Sequence, residues 1–202
     1  MPSSKVAIVN MALSHIGIAK EISNFDTEQS QEASCARRYY DVALETVLRD
    51  FHWPFATVIA TLALIELTPN AEWEYSYRYP VDCLTLRRIP SGIRNEDKST
   101  QVPYRLGKDS AGRIIWTDVE NAKIEYTGTV TDPTLFPPDF VLAFSYYLGS
   151  MMAPRLTGGD PFNLKDKTLK SYYAEISKAA ANSFNEEKRE EPPDSEFITI
   201  RG

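Results

Sequence analysis

The sequence predicts an α+β fold: a four-helix bundle of two helical hairpins, with an antiparallel β insertion between helices 2 and 3 and an extended C-terminal tail. Three observations predict it. Apolar residues recur at spacings of three and four up to Phe51 and again after Phe136. Between those stretches the pattern changes to short β-branched and aromatic runs broken by Pro, Gly, Asn and Asp. A proline corner, "RDFHWPFAT", marks the first change. The predicted organisation is helical over 1–54 and 131–190, an inserted β region over 55–130, and an extended docking tail over 191–202.

Val6, Val9, Leu13 and Ile16 carry the first helix, with Ser3 or Ser4 as its cap and Gly17 as its stop. After the polar loop "KEISNFDTEQS" a second helix is predicted from about Glu28, with Ala33, Ala36, Tyr40, Ala43, Val47 and Phe51 as its buried stripe. Pro54 ends it, because proline pushes Trp53 out of the helical region. Trp53 and Phe55, on either side of Pro54, form a structural corner. Such rings bury on the order of 150–250 Å² each and would fix the angle between helices and sheet.

The inserted region reads as five or six antiparallel strands. They are carried by "FATVIATLAL", "YSYRYP", "LTLRRI", "YRL", "RIIWT" and "AKIEYTGTV", with "SGIRNEDKSTQ" as a polar excursion. Helical spacing returns at "FPPDF", where Pro137 and Pro138 suit a helix start. This third helix is apolar nearly all round and is expected at the centre. Ser145, Gly149 and Ala153, four apart, would let a neighbour come close. In "TGGDP" the glycines stop it, with Asp160 as the next N-cap and Pro161 at N1. The fourth helix is expected to turn Phe162, Leu169, Tyr172, Ile176, Ala180 and Phe184 inward. "EEPP" should stop it, leaving "EFITI" as an apolar patch beyond the helices.

The composition suits a folded domain of 202 residues, 43% hydrophobic and 25% charged. Its 22 basic and 28 acidic residues leave a net charge of −6, the wrong sign for a surface that grips phosphates. Cys35 and Cys83 follow no metal spacing and read as buried free thiols. "MPSSKVAIVN" lacks the basic-then-apolar layout of a signal peptide. The apolar run from Phe140 to Pro154 is too short to span a bilayer. A soluble chain of the reducing cytoplasm is expected.

Chemistry has little footing. His15 and His52 stand alone, and no metal spacing surrounds either. Gly158 and Gly159 lack the Lys–Ser/Thr of a phosphate loop. The best enzyme candidate is a carboxylate pair, Glu72 with Glu74 or either with Asp82, acting on a glycosidic bond. Solvated charges at strand ends are the plainer account. The expectation is no enzyme, no cofactor and no metal.

Five segments together resemble a known family. They are "VNMALSHIGIAKEISNFD", "SCARRYYDVALETVLRDFHWPFAT", "WEYSYRYPVDCL", "FPPDFVLAFSYYLGSMMAPRLTGG" and the closing "FITIRG". In their order the chain resembles the head-to-tail connector (adaptor) proteins of tailed bacteriophages, the family of podophage tail tubular protein A and related portal-bound adaptors. The resemblance covers nearly the full chain. It implies a structural virion protein, found in the host cytoplasm during assembly and then at the head–tail interface. Its partners would be the portal protein, a tail nozzle or tail tube protein, and other copies of itself in a ring, typically a dodecamer. DNA would pass through the channel without specific binding, and no membrane is involved. A portal-docking tail would comprise Phe197, Ile198, Thr199, Ile200 and Arg201. The alternative function is a peptidoglycan-acting glycosidase of the tail.

Overall fold

Ser4 opens helix α1 (Lys5–His15) by accepting the Ala7 amide on its hydroxyl. Gly17, at a φ of 75°, closes it. The Ile18 amide reaches back to the Leu13 carbonyl and the Gly17 amide to that of Ser14, the paired bonds of a glycine-terminated helix. These details come from a computed structural model, which describes residues 4–93 and 99–186.

Helix α2 (Gln31–Asp50) starts later than the expected Glu28. Glu28 is taken up by the loop, where its carboxylate accepts from the Ser23 amide and from the Ser23 and Ser30 hydroxyls. Ser30 caps the helix instead. The Ser30 hydroxyl and the Ser23 amide hold the Glu28 carboxyl well below its usual 4.5, at about 2. A carboxyl depressed by folding stabilises the fold above its unfolded pKa and loses that contribution as pH falls through the folded one. Thermal stability is therefore expected to decline between about pH 4.5 and pH 2. Melting curves of Glu28→Gln across this window should show a shallower decline; an unchanged slope would exclude Glu28 as a contributor.

Among its described residues the inserted region forms seven strands in two antiparallel sheets. They are β1 (Thr57–Thr61), β2 (Leu64–Leu67), β3 (Tyr75–Arg78), β4 (Cys83–Arg88), β5 (Arg105–Asp109), β6 (Gly112–Thr117) and β7 (Lys123–Gly128). One sheet has the order β1-β7-β4 and the other β2-β3-β6-β5. "FATVIATLAL" is thus two strands, not one. The chain changes partner within two residues: the Leu62 amide bonds to Ala122, whereas the Ala63 carbonyl accepts from Arg78. Tyr77 and Ile115 from one sheet join Cys83, Ile124 and Tyr126 from the other in a buried cluster that unites the sheets.

Helix α3 (Pro138–Leu156) is buried along Phe140, Phe144, Leu148 and Met152 and packs against α1, α2 and α4 (Leu164–Glu186). The architecture is α+β: four helices packed together, with two antiparallel sheets inserted between α2 and α3. The small-residue stripe on α3 faces α1. A Cβ on Gly149 would sit 3.0 Å from the Ala12 carbonyl oxygen and 3.6 Å from the Ile16 side chain. Gly149→Val is expected to pry α1 away and cost about 1–3 kcal/mol, measured by denaturant unfolding. A neutral result would mean that α1 does not pack this closely.

The seam of α4 follows the expected face at Tyr172 and Ile176 but departs from it elsewhere. Thr168, Tyr172 and Ala179 are buried, while Phe184 is 61% and Phe162 68% exposed. The helix begins at Leu164 rather than at Pro161. Asp160 adopts a φ of 62° and caps from a distance, its carboxylate accepting the Leu164 and Lys165 amides. Phe162 therefore precedes the helix and is not carried on its inward face.

Candidate functional site

The corner is built from the α2 terminus outward. Asp50 is the last helical residue, Phe51 turns extended, and Trp53 (φ −70°, ψ 121°) leads into a single tight turn, Pro54–Ala56. Trp53 is 1% exposed. Its indole N–H donates to the Val47 carbonyl at 2.8 Å, and its ring meets Phe51 and Phe140 edge-on at 4.9 and 5.0 Å. Phe55 is half-buried and packs on Phe140 and Phe136 at 4.9 and 5.9 Å, while Pro54 is exposed. Both rings point into the helical core rather than between helices and sheets.

Arg87, on β4, joins the two parts. Its guanidinium donates through Nη2 to the carbonyls of Leu48, Arg49 and Phe51 and through Nε to the Thr127 hydroxyl on β7. The last carbonyls of a helix lack partners in the helix itself, and a cation there also meets the negative end of its dipole. Burial pulls the Arg87 pKa down, though a guanidinium remains charged. Beside it, the buried Glu125 pairs with Arg88 at 2.8 Å, and His52 Nε2 lies 3.4 Å away. His52 is thus part of the joint. Nothing in "LTLRRI" marks Arg87 as a clasp, since a strand with two arginines reads as solvated.

A cleft of about 410 Å³ opens outside the corner. Trp53, Phe55 and Pro137 give it an apolar wall, and Asp139, Asn182 and Glu186 a polar rim. The polar neighbours that the sequence did not reveal come from the start of α3 and from α4.

The other candidates are dispersed. Glu72 and Glu74 precede β3, whereas Asp82 follows it, at the opposite end of the strand. Glu72 pairs with Arg105 at 3.3 Å, and Asp82 accepts the Tyr126 hydroxyl at 3.0 Å. His15 Nε2 lies 3.0 Å from the Ser145 hydroxyl, and the imidazole stacks on Tyr146. Burial lowers its pKa. Ser145 is fully buried, so this is a bond between α1 and α3 rather than an accessible nucleophile. Cys35 and Cys83 are free and buried, and burial raises both thiol pKa values.

Among the described residues no cluster of three or more His, Cys, Asp or Glu is placed to hold a metal, and no helix is long and apolar enough to cross a membrane. Phe197, Ile198, Thr199, Ile200 and Arg201, with the rest of the expected tail, lie outside the described residues. Compared with known proteins, the chain matches no family model and no curated sequence.

Proposed function

We propose that this chain is a structural virion protein, a head-to-tail adaptor of a tailed bacteriophage. Copies of it form a ring under the portal, join capsid to tail and continue the DNA channel. The observation that carries the reading is the ordered set of family-like segments along nearly the whole chain. A net charge of −6 suits a wall that duplex passes without adhering, because counterion release needs clustered cations.

In this reading the helices form the body, and residues 191–202 extend from it to dock on the portal. Phe197, Ile198 and Ile200 supply apolar anchors, each worth roughly 1.5–3 kcal/mol when buried. Contacts this weak hold firmly when a ring repeats them.

The test is electron microscopy of the purified chain mixed with its portal. The expected image is a ring coaxial with the portal. Particles of portal alone, with the chain left free in solution, would overturn the proposal. Removal of residues 191–202 should abolish the complex without moving the melting temperature of the free chain.

A further inference from the structure

The four-stranded sheet ends in two open edges, β2 and β5; no described strand pairs with the outer side of either. Each edge strand exposes a leucine to water. Leu64 is 52% exposed on β2, and Leu106 43% exposed on β5. The register explains why they matter together. Leu64 stands opposite Tyr77, Tyr77 opposite Ile115, and Ile115 opposite Leu106. One row of apolar side chains thus crosses the whole sheet on the face that carries its core and ends in a leucine at each edge.

The adjacent row, on the other face, ends in charges. Glu66 stands opposite Ser76, Ser76 opposite Trp116, and Trp116 opposite Arg105. A carboxylate closes this row at β2 and a guanidinium closes it at β5. Three antiparallel steps separate the two edges, so β2 and β5 run in opposite directions. A second copy displaced across the sheet would therefore present its β2 antiparallel to β5.

We propose that β5 of one copy pairs with β2 of the next, in the register that sets Leu106 opposite Leu64 and, across the extra residue that β2 carries between Leu64 and Glu66, Arg105 opposite Glu66 of the neighbour. The inference rests on the self-assembling reading above and names the surface that would carry it. Both matches fall into place at once, leucine on leucine and guanidinium on carboxylate, as favourable cross-strand pairs require. Arg105 holds Glu72 of its own chain at 3.3 Å, but both side chains are more than half exposed and the pair yields readily to a better partner.

Such a contact is head-to-tail, and head-to-tail contacts either close into rings or run on as filaments. The register shift between Leu64 and Glu66 bears on that choice, because a bulge bends its strand and increases local twist. A sheet continued through that bulge curves. The three-stranded sheet offers no equivalent pair of edges: β4 carries two register shifts, and its Arg87 is committed to α2.

Oxidative cross-linking of the full chain tests the register. Leu64→Cys and Leu106→Cys are made as separate proteins, mixed at rising concentration and oxidised, with light scattering of the wild type alongside. Cysteines directly opposite on antiparallel strands lie within disulfide reach. The wild-type thiols are buried and give the background. The expected result is a mixed dimer well above either homodimer, and a covalent ladder when one chain carries both cysteines. Glu66→Lys in the Leu64→Cys protein should lower the yield roughly two- to fivefold, and Arg105→Glu in its partner should restore it. Oligomers by scattering without the mixed cross-link would overturn this interface and leave the ring reading standing. A chain that stays monomeric at every concentration and gives no cross-link would also overturn it. The ladder growing into open filaments that no portal closes would uphold the interface and sink the ring.

Discussion

Trp53→Ala is expected to destabilise the protein by about 3–5 kcal/mol. The indole is one of the largest fully buried side chains and is held on several sides, by Phe51, Phe140 and the more distant Phe55. Truncation removes its transfer energy and leaves a cavity between α2 and α3 that these aromatic neighbours are too rigid to fill. It also leaves the Val47 carbonyl without its 2.8 Å partner. Trp53→Phe keeps one aromatic ring in the core and loses the donor with part of the volume, so a smaller cost of about 1–3 kcal/mol is expected. Equilibrium unfolding in urea measures both. A cost below about 1 kcal/mol for the alanine variant would show that the indole does not sit in the core.

The second large effect is expected at Arg87. Replacing it with Met keeps the stem and removes the bonds from its guanidinium to the Leu48, Arg49 and Phe51 carbonyls and to the Thr127 hydroxyl. Hydrogen bonds to a charged group are worth about 1.5–3 kcal/mol, and a loss of about 2–3 kcal/mol is expected, with the remaining carbonyls partly recovered by water. Arg87→Lys should recover little, because a point charge cannot serve the Thr127 hydroxyl and the Leu48, Arg49 and Phe51 carbonyls from one position. The sharper readout is cooperativity. With the clasp gone, helical ellipticity and hydrogen exchange at the β-strand amides are expected to report unfolding at different denaturant concentrations. Coincident curves and an unchanged midpoint would show that the buried contacts around Leu84 and Val130 hold the two parts together without it.

These two residues also mark how far the sequence could be read. Trp53 was legible because proline constrains its neighbour and large aromatics beside it have few places to go. The cap at Ser4 and the stop at Gly17 were legible because each depends on chemistry within a few residues, and the close approach at Gly149 because small residues four apart mark it on α3. Arg87 was not, since its partners on α2 lie 36 to 39 positions away. The division of the strands into two sheets was hidden too. "FATVIATLAL" has the same β-forming character throughout, and only its pairing partners change at Leu62 and Ala63. On α4 the middle of the stripe was legible, since Tyr172 is buried and Ile176 packs on the core, but Phe162 and Phe184 at its ends face water while Thr168 and Ala179 are buried. Helix periodicity weights large apolar residues and passes over small ones such as Thr168 and Ala179.

The adjacency of β1 and β7 has a consequence for the time course of folding. Helices α2 and α3 pack against each other across the entire inserted region, a non-local contact of the kind that slows a folding reaction. Yet Thr57 lies directly opposite Thr127, so the insertion leaves and rejoins the helical part at neighbouring points. Once β1 and β7 have zipped, the segment separating α2 from α3 shrinks to the few residues at the foot of those strands, and the remaining loop-closure entropy is small. The sheet then acts as the early step that brings α3 within reach of α2, and helix docking follows it. Substitutions in the β1–β7 ladder should slow refolding, whereas those in the α1–α3 contact should chiefly hasten unfolding.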